Sequence, residues 1–312
     1  MYNLVEKRKW YYLASAILII PGIIVMIYSA VTTGSPLRLS IDFTGGVIWE
    51  MRFPQAVLPG DVRAVFVEEG LTDTMVTTVG DAQTVQARLK NIKDETKAEL
   101  SALLAERFGG LEELQFRKVG PTVGREVTRT AGIAIAVASL AILGFISWAF
   151  RNVPHPVRYG TCAILAMLHD VLLIMGFLAI MGYVAGWEVD ALFLTAVLTL
   201  IGFAVQDAIV VFDRIRENIP KHRGEPFEVI ANRSLLETLH RSLVTQLNAM
   251  FVMIAILLFG GATIKQFIAA MLVGLLSGTY SSIFNAVPLL VSWEKGEIGG
   301  FFRRLVGRRA AA

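Results

Sequence analysis

Residues 11–31 read YYLASAILIIPGIIVMIYSAV, a stretch that carries no charged side chain and is almost wholly apolar. A helix of about 20 apolar residues spans the hydrocarbon core of a bilayer, because each residue adds about 1.5 Å to its length. Five more stretches of this character follow in the chain of 312 residues, at 128–150, 159–182, 191–212, 243–259 and 267–293. The sequence therefore predicts a membrane protein, an all-α bundle of six transmembrane helices.

The first stretch has a second interpretation. Three basic residues, Lys7, Arg8 and Lys9, precede it, and this arrangement is also typical of a secretory signal peptide. However, the apolar stretch is longer than a usual signal core and lacks a clean cleavage site of small residues. We therefore predict a retained helix, with a signal peptide as the alternative.

The composition supports a membrane protein and argues against several other classes. Hydrophobic residues make up 54% of the chain, and the net charge of +3 is too small to indicate a nucleic-acid partner. The single cysteine, Cys162, excludes an intrachain disulfide. No pairing of serine or carboxylate with histidine indicates an enzyme or a membrane protease. No metal or cofactor is expected either, because the four histidines lack ligand spacing: His155, His169, His222 and His240.

Basic residues gather on one side of the predicted membrane. They occur before the first span, in the segments 151–158 and 214–241, and in the tail at 303–309. By contrast, the segment 183–190 on the opposite side contains no lysine or arginine. Cytoplasmic loops carry an excess of these residues, so the basic side is predicted to be cytoplasmic and both termini to lie there.

These signals divide the chain into four parts. A long segment between the first two spans contains no spanning run and follows a helix that leaves the cytoplasm, so it is predicted to be an extracytoplasmic domain. The expected boundaries are 1–31 for the cytoplasmic N-terminus and first helix, 32–127 for the extracytoplasmic domain, 128–293 for the helix bundle with a cytoplasmic loop at 213–242, and 294–312 for a basic cytoplasmic tail.

The inserted domain has the pattern strand, helix, strand, strand, helix, strand. The expected elements are strands at 40–53, 74–79, 84–89 and 114–119, a helix at 59–70, and a second helix that Asp94 caps and Gly109 ends. Within the first strand, Gly45 and Gly46 indicate a bulge or a close backbone approach. This order is that of a ferredoxin-like α+β domain, inserted between helices 1 and 2. It is interpreted as a binding or mechanical module, with a spacer that only packs on a partner as the alternative.

Carboxylates inside the spans are the first candidates for function, because a charge in the membrane is costly. Asp170 follows Arg158 by twelve residues, which places it about 18 Å deep. Asp207 precedes Asp213 by six residues, or about 9 Å, and Asp213 starts a polar run at the cytoplasmic border. We regard Asp207 as the main candidate for proton coupling, with Asp170 and Asp213 as weaker ones.

Arg241 is the expected partner of Asp207. An apolar stripe suggests that the fifth helix begins near Leu235, and helices four and five run antiparallel, so both charges should reach a similar depth. A nearby arginine favours the ionised carboxylate, and its withdrawal would allow protonation. The pair is therefore interpreted as a proton-sensitive switch. The alternative is a static ion pair that fixes helix register.

Small and polar residues in the sixth span predict helix contacts. Gly274 and Gly278 form a GxxxG face, which is typical of tight helix packing. Asn285 requires a polar partner inside the bundle, and a structural hydrogen bond is the expected role.

Several motifs are specific in combination. They are IDFTGG at 41–46, VGPTVG at 119–124, LHDV at 168–171, QDAIVVFDRIREN at 206–218 and GTYSSIF at 278–284. With them the chain resembles, over nearly its whole length, the SecD/SecF family of bacterial protein secretion, which belongs to the resistance–nodulation–division superfamily.

The resemblance implies a function and a set of partners. Members of this family lie in the bacterial inner membrane, pair SecD with its smaller companion, dock on the SecYEG channel and use the proton-motive force to promote export of the preprotein. A YajC-like subunit and membrane lipid are further expected partners, and we expect SecD to be a separate chain. By position, the family's proton-transporting carboxylate and arginine fall on Asp207 and Arg241. Sodium as the coupling ion stays open.

Two features depart from the family pattern and two rival functions remain. Gln206 replaces a common asparagine, and the hydroxyl-rich run after Arg241 is reduced to Ser242, Thr245, Gln246 and Asn248, which leaves the proton path open. One rival is a small-molecule exporter of the same superfamily, although exporters typically have twelve spans and two large external domains. The other is a passive scaffold that stabilises its partners.

Overall fold

A computed structural model describes residues 3–297, apart from the side chains of residues 262 and 263. Within this part of the chain, six helices are long and apolar enough to cross a membrane, which confirms the predicted number. The predicted basic tail lies outside the described residues from position 298 onward. The chain divides into two compact units, one formed by 39–133 and the other by the remaining residues.

The elements follow one another in this order: a 3₁₀ turn (Val5–Lys7), α1 (Arg8–Thr33), α2 (Ile41–Thr44), β1 (Gly46–Arg52), α3 (Pro59–Glu68), β2 (Met75–Thr78), β3 (Thr84–Leu89), α4 (Asp94–Phe108), β4 (Glu112–Val119), α5 (Pro121–Ala149), α6 (Pro156–Val184), α7 (Ala191–Lys221), α8 (Phe227–Phe259), α9 (Ala262–Ser281), a π-helical segment (Ser282–Ala286) and α10 (Val287–Glu294). The sixth span therefore consists of α9, the π-helical segment and α10 in one continuous run.

The spanning helices are longer than the apolar stretches that predicted them. α5 begins at Pro121 and α8 at Phe227, each well before its apolar run. Proline suits the first turn of a helix, because its missing N–H would have no partner there. An apolar stretch identifies only the part of a helix that is buried in lipid. The helix itself extends beyond that part into polar surroundings, where its side chains find other partners.

In the membrane-spanning unit, α6, α7 and the sixth span form the centre and α1 and α5 lie at the periphery. Small residues allow close crossings. A Cβ atom added at Gly176 in α6 would lie 2.8 Å from the Cα of Gly22 in α1. One added at Gly274 in α9 would lie 2.8 Å from the Cδ1 of Ile174, and one at Gly278 would lie 3.5 Å from the Cβ of Ala204. The predicted tight packing of the Gly274–Gly278 face is thus confirmed.

The unit 39–133 contains a four-stranded antiparallel sheet with the strand order β2-β3-β1-β4. Both α3 and α4 pack on the same face of this sheet, because they share one apolar core with β1 and β3. Trp49 of β1, Phe66 of α3 and Leu104 of α4 are fully buried in that core. The predicted sequence of strands and helices is observed, with one short helix in addition.

Two details of the predicted domain are wrong. Residues 40–45 do not extend the first strand, because Ser40 caps the short helix α2 by accepting a hydrogen bond from the Asp42 amide at 3.1 Å. Asp94 is the first residue of α4 and makes no cap; its carboxylate instead accepts a hydrogen bond from the Lys118 ammonium at 3.1 Å. Side chains that bond locally favour a turn over a strand, which the alternation of apolar residues does not reveal.

The close approach at the glycine pair is confirmed. Gly45 has a φ of 73°, and a Cβ atom there would lie 2.8 Å from the Cα of Pro121 at the start of α5. Gly46 has a φ of 122°, and a Cβ there would lie 2.8 Å from the carbonyl oxygen of Leu89. Only glycine fits both the backbone conformation and the space.

Candidate ion-coupling site

Asp207 lies near the middle of α7. The helix runs from Ala191 to Lys221, so Asp207 is about 24 Å from one end and about 21 Å from the other. The helix continues for about two turns beyond Asp213, the residue that the sequence placed at the cytoplasmic border. The residue is 5% exposed, and a carboxylate buried at this depth is a candidate for function.

A neutral side chain is the partner of this carboxylate. The Nε2 of Gln246 in α8 donates a hydrogen bond to the Oδ2 of Asp207 at 2.5 Å, and both residues are buried. Among residues 3–297 the structure records no ion pair of Asp207. An amide stabilises a negative charge less than a cation does, so the carboxylate sits in the membrane with little compensation.

The contacts between α7 and α8 define their register. Asn218 donates to Ser234 at 2.9 Å, Arg214 to Glu237 at 2.5 Å, and Gln246 donates to Asp207. The two helices therefore run antiparallel, and residues nearer the start of α7 lie opposite residues nearer the end of α8. In this register Arg241 faces the turn at 210–212, about 7.5 Å along the helix from Gln246. The predicted pairing of Arg241 with Asp207 is not formed in this conformation.

Arg241 instead lines a cavity of about 430 Å³ between the ends of α7 and α8. The other charged residues of this cavity form ion pairs: Arg214 with Glu217 at 2.7 Å, and Asp213 with Arg216 at 2.5 Å. Arg241 is exposed and makes no ion pair with any described residue. The cavity thus presents an arginine that is free to change partners. The half-exposed Asp213 belongs to its rim.

A polar stripe connects the level of this cavity with Asp207. Ser234, Thr238, Ser242 and Gln246 recur at every fourth position of α8, which places them on one face, and all four are buried. Thr238 also lines the cavity. The hydroxyl of Ser242 has no hydrogen-bond partner among the described residues. The stripe is therefore a buried line of polar groups that ends at the amide contacting Asp207.

The remaining polar residues near this level face away from the stripe. Thr245 and Asn248 are exposed, and the Thr245 hydroxyl donates to the carbonyl oxygen of Arg241 at 2.9 Å. Gln206, the departure from the family pattern, is also exposed on α7. Of the four residues expected after Arg241, only Ser242 and Gln246 point into the bundle. Ser242 and Gln246 are four residues apart and so lie on one helix face, and this spacing distinguishes them from Thr245 and Asn248.

Asp170 lies in the middle of α6, fourteen residues or about 21 Å from each end. Its carboxylate accepts hydrogen bonds from the hydroxyls of Ser277 and Ser281 in α9, both at 2.6 Å. The Nδ1 of His169 lies 3.0 Å from the Oδ1 of the same carboxylate. Asp170 is thus held by three polar groups, whereas Asp207 contacts one.

Ser277 and Ser281 were not identified from the sequence. They are four residues apart and so lie on one face of α9, and this spacing was available in the sequence. What the spacing alone did not reveal was that this face meets α6 at Asp170.

The polar partner predicted for Asn285 is Ser15 of α1. The Nδ2 of Asn285 lies 2.9 Å from the Ser15 hydroxyl oxygen, and both residues are buried. Asn285 lies in the π-helical segment Ser282–Ala286, a type of irregularity that is frequent at functional sites. This contact ties the sixth span to the first.

Across the described residues, no group of three or more histidine, cysteine or acidic side chains is arranged to hold a metal ion. The buried carboxylates Asp170 and Asp207 instead have hydroxyl, imidazole and amide partners.

Comparison with known proteins identifies relatives along the whole chain. Residues 99–296 match the family model described as protein export membrane protein SecD/SecF, C-terminal. The chain is 48% identical to the protein translocase subunit SecF of Thermobaculum terrenum, with 100% of both chains aligned. It is 46% identical to the protein translocase subunit SecF of Anaerolinea thermophila, over 97% of this chain and 98% of that one.

A solved structure supports the same assignment. The crystal structure of SecDF from Thermus thermophilus, a translocon-associated membrane protein, superimposes with a TM-score of 0.78 at 31% identity. The match covers 94% of this chain and 39% of that chain, so the present chain spans well under half of the length of SecDF. Both the sequence and the fold therefore place this chain in the SecD/SecF family of protein export membrane proteins.

Proposed function

We propose that this chain is an accessory subunit of the Sec protein translocase and acts together with SecD to promote the export of polypeptides. Full-length relatives are named protein translocase subunits, and the solved SecDF is described as translocon-associated. The chain corresponds to 39% of SecDF, so a SecD partner would supply the remainder of that assembly. The SecYEG channel, the exported preprotein and a YajC-like subunit are the further partners of this proposal.

The proposed location is the bacterial inner membrane, with both termini in the cytoplasm. The asymmetric distribution of lysine and arginine supports this orientation. The unit 39–133, which we infer to be ferredoxin-like from its strand order and its two helices on one face, would then lie outside and contact the exported chain.

The proposed mechanism couples proton binding at Asp207 to a shift between α7 and α8. The single observation that carries it is the buried Asp207 carboxylate, which has a neutral amide partner while Arg241 stands unpaired about five residues away along α8. Protonated Asp207 suits the observed register, because a neutral acid needs no cation. A movement of α8 by about one turn, 5.4 Å, would bring Arg241 toward the ionised form.

Access for the proton is proposed along the polar stripe of α8. The stripe begins beside the cavity that Arg241 and Thr238 line and ends at Gln246, with the unpartnered Ser242 hydroxyl between them. Water or a proton from the cavity would reach Asp207 by this route, whereas the apolar surroundings of α7 would exclude it elsewhere.

The test uses inverted vesicles that contain the chain with SecD, the channel and a preprotein. Asp207→Asn and Arg241→Met should abolish proton-dependent stimulation of export while the complex still assembles. Glu217→Gln is the matched control, since it removes a carboxylate that lines the same cavity and should retain stimulation. Normal stimulation by the Asp207→Asn complex would overturn the mechanism and favour the passive scaffold. A change in small-molecule efflux on deletion would favour the exporter.

A further inference from the structure

The pair His169–Asp170 lies in the middle of α6, and the mechanism above does not use it. The side chain of His169 is 10% exposed and that of Asp170 is 5% exposed. The imidazole of His169 is turned toward the adjacent Asp170, and its Nδ1 lies 3.0 Å from the Oδ1 of the carboxylate. The ring stacks on Tyr280 of α9, with centroids 6.1 Å apart and 26° between the planes.

The carboxylate of Asp170 is surrounded by polar side chains. Ser277 donates to its Oδ1 and Ser281 to its Oδ2, both at 2.6 Å, and His169 approaches Oδ1. Hydrogen bonds donated to a carboxylate stabilise its charged form. In the described residues, His169 is also the one basic side chain recorded within ion-pair distance of this carboxylate.

The other nitrogen of the ring is left without a partner. When Nδ1 carries a proton and donates it to Asp170, the Nε2 of a neutral imidazole is an acceptor. This Nε2 is buried, and among residues 3–297 it has no hydrogen-bond partner. A proton at Nε2 would convert the ring to imidazolium, and its charge would be balanced by Asp170 at 3.0 Å.

We propose that His169 is a second proton-binding group of the bundle, with Asp170 as its counter-ion and with Asp207 as a separate site. The proton comes from water and is held at Nε2; Nδ1 keeps its own proton toward Asp170. Imidazole is the side chain whose charge ordinarily changes between about pH 5 and pH 8. The binding itself is independent of the proposed function, whereas its consequence for export rests on that function.

The neighbouring helices carry other titratable groups. On the elements packed against this part of α6, the described titratable groups are Tyr11 and Tyr12 in α1, Asp207 in α7 and Tyr280 in α9, with Arg8 and Glu294 nearer the helix ends. The Tyr280 hydroxyl is occupied, because it donates to the carbonyl oxygen of Tyr11 at 2.8 Å.

The site has a direct connection to α7. Gly278 of α9 lies between Asp170 and Ala204: a Cβ atom added there would be 3.8 Å from the carboxylate and 3.5 Å from Ala204. Ala204 is three residues before Asp207, so it lies about one turn away on the same helix. A proton at His169 would change the electrostatic field at the hydroxyls of Ser277 and Ser281, which donate to Asp170. This change would alter how α9 packs against α7.

The test measures the protonation state of each histidine in the full chain with its SecD partner in lipid vesicles. The protein is labelled with ¹⁵N-histidine and studied by solid-state NMR between about pH 5 and pH 8. His169→Asn identifies the signal, since asparagine keeps an N–H donor for Asp170 and takes up no proton. His155→Asn is the matched control, because His155 is exposed.

We expect the signal absent from the His169→Asn protein to change from neutral imidazole to imidazolium as the pH falls, and to be retained in the His155→Asn protein. A His169 signal that stays neutral over the whole range would overturn the proposal. Asp170→Asn should keep His169 neutral, because it removes the counter-ion; an imidazolium that persists in that variant would overturn the role of Asp170.

The link to export is measured separately in the vesicle assay. His169→Asn should flatten the pH dependence of stimulation, whereas Asp207→Asn should remove stimulation at every pH. If His169 takes up a proton but the pH dependence is unchanged, the link to export is overturned while the binding stands. If Asp207→Asn exports normally, the proposed function fails, and the NMR result is unaffected.

Discussion

The two buried carboxylates of the bundle differ in how they are held. Asp170 in α6 contacts two serine hydroxyls and an imidazole, whereas Asp207 in α7 contacts one amide. A carboxylate with several donors keeps its position, because moving it would break several hydrogen bonds at once. One with a single neutral donor is free to exchange a proton and a partner. The two carboxylates are thus similarly buried, and they differ in the number of hydrogen-bond donors that hold each one.

The largest expected effect comes from breaking the hydrogen bonds to Asp170. Asp170→Leu leaves the buried Ser277 hydroxyl without its acceptor and leaves Ser281 only the longer bond to the Gly278 carbonyl oxygen at 3.3 Å. It also removes the partner of the His169 Nδ1, and each lost partner costs about 1–3 kcal/mol. We therefore expect a loss of about 3 kcal/mol in the free energy of unfolding. Asp207→Leu, the matched control, leaves one amide unpaired and should cost about 1 kcal/mol. Thermal unfolding of the purified chain in detergent measures both, and equal losses would contradict the comparison.

A smaller effect concerns the single donor of Asp207. Gln246→Leu removes the hydrogen bond that stabilises the ionised carboxylate, so Asp207 should bind its proton more tightly. A hydrogen bond to a charged group is worth about 1.5–3 kcal/mol, which corresponds to a rise of about one pH unit or more in the midpoint of stimulation. The vesicle assay over a pH series measures this midpoint.

The control for this change is Asn248→Leu, which removes an exposed amide from the same helix. Its midpoint should remain that of the unchanged protein. A midpoint that falls in the Gln246→Leu protein, or that moves equally in both proteins, would show that the amide is not the group that holds Asp207.

The smallest expected effect concerns the stripe. Ser242→Ala removes a buried hydroxyl that has no partner in the described residues, so the stability should change by less than about 0.5 kcal/mol. The rate of proton-dependent stimulation should nevertheless fall several-fold, because the stripe loses its middle group. Thr245→Ala is the control, since that hydroxyl is exposed and bonded to its own helix. Equal rates in the two variants would remove Ser242 from the path.

The sequence located both buried carboxylates of the bundle but not the side chain that contacts Asp207. Asp207 and Asp170 were found because a carboxylate in an apolar run is rare and costly. The partner of Asp207 was wrong for this conformation, because the estimate of depth used the apolar run and not the register of α7 with α8. That register depends on contacts such as Asn218 with Ser234, which join residues far apart in the chain.

The fold of the membrane unit was largely predictable, whereas the details of the domain at 39–133 were less so. Apolar length identifies a span, since the thickness of the bilayer sets a minimum of about 20 residues. In the domain, the strand Thr84–Leu89 matched its prediction, but residues 40–45 formed a helical turn. A single hydrogen bond from the Asp42 amide to the Ser40 hydroxyl decides that turn, and periodicity does not report it.

The sequence by itself determined how many segments are able to cross a membrane, where along the chain the long segment without a spanning run lies, and which charged residues fall within the spans. These properties depend on the composition of a window of residues, because the hydropathy of that window decides whether a helix is able to lie in a bilayer. Only the tertiary structure decided that Gln246 contacts Asp207, that Ser277 and Ser281 hold Asp170 and that Arg241 stands apart. Those choices depend on which helix faces meet and in what register, and that is decided by packing between distant parts of the chain.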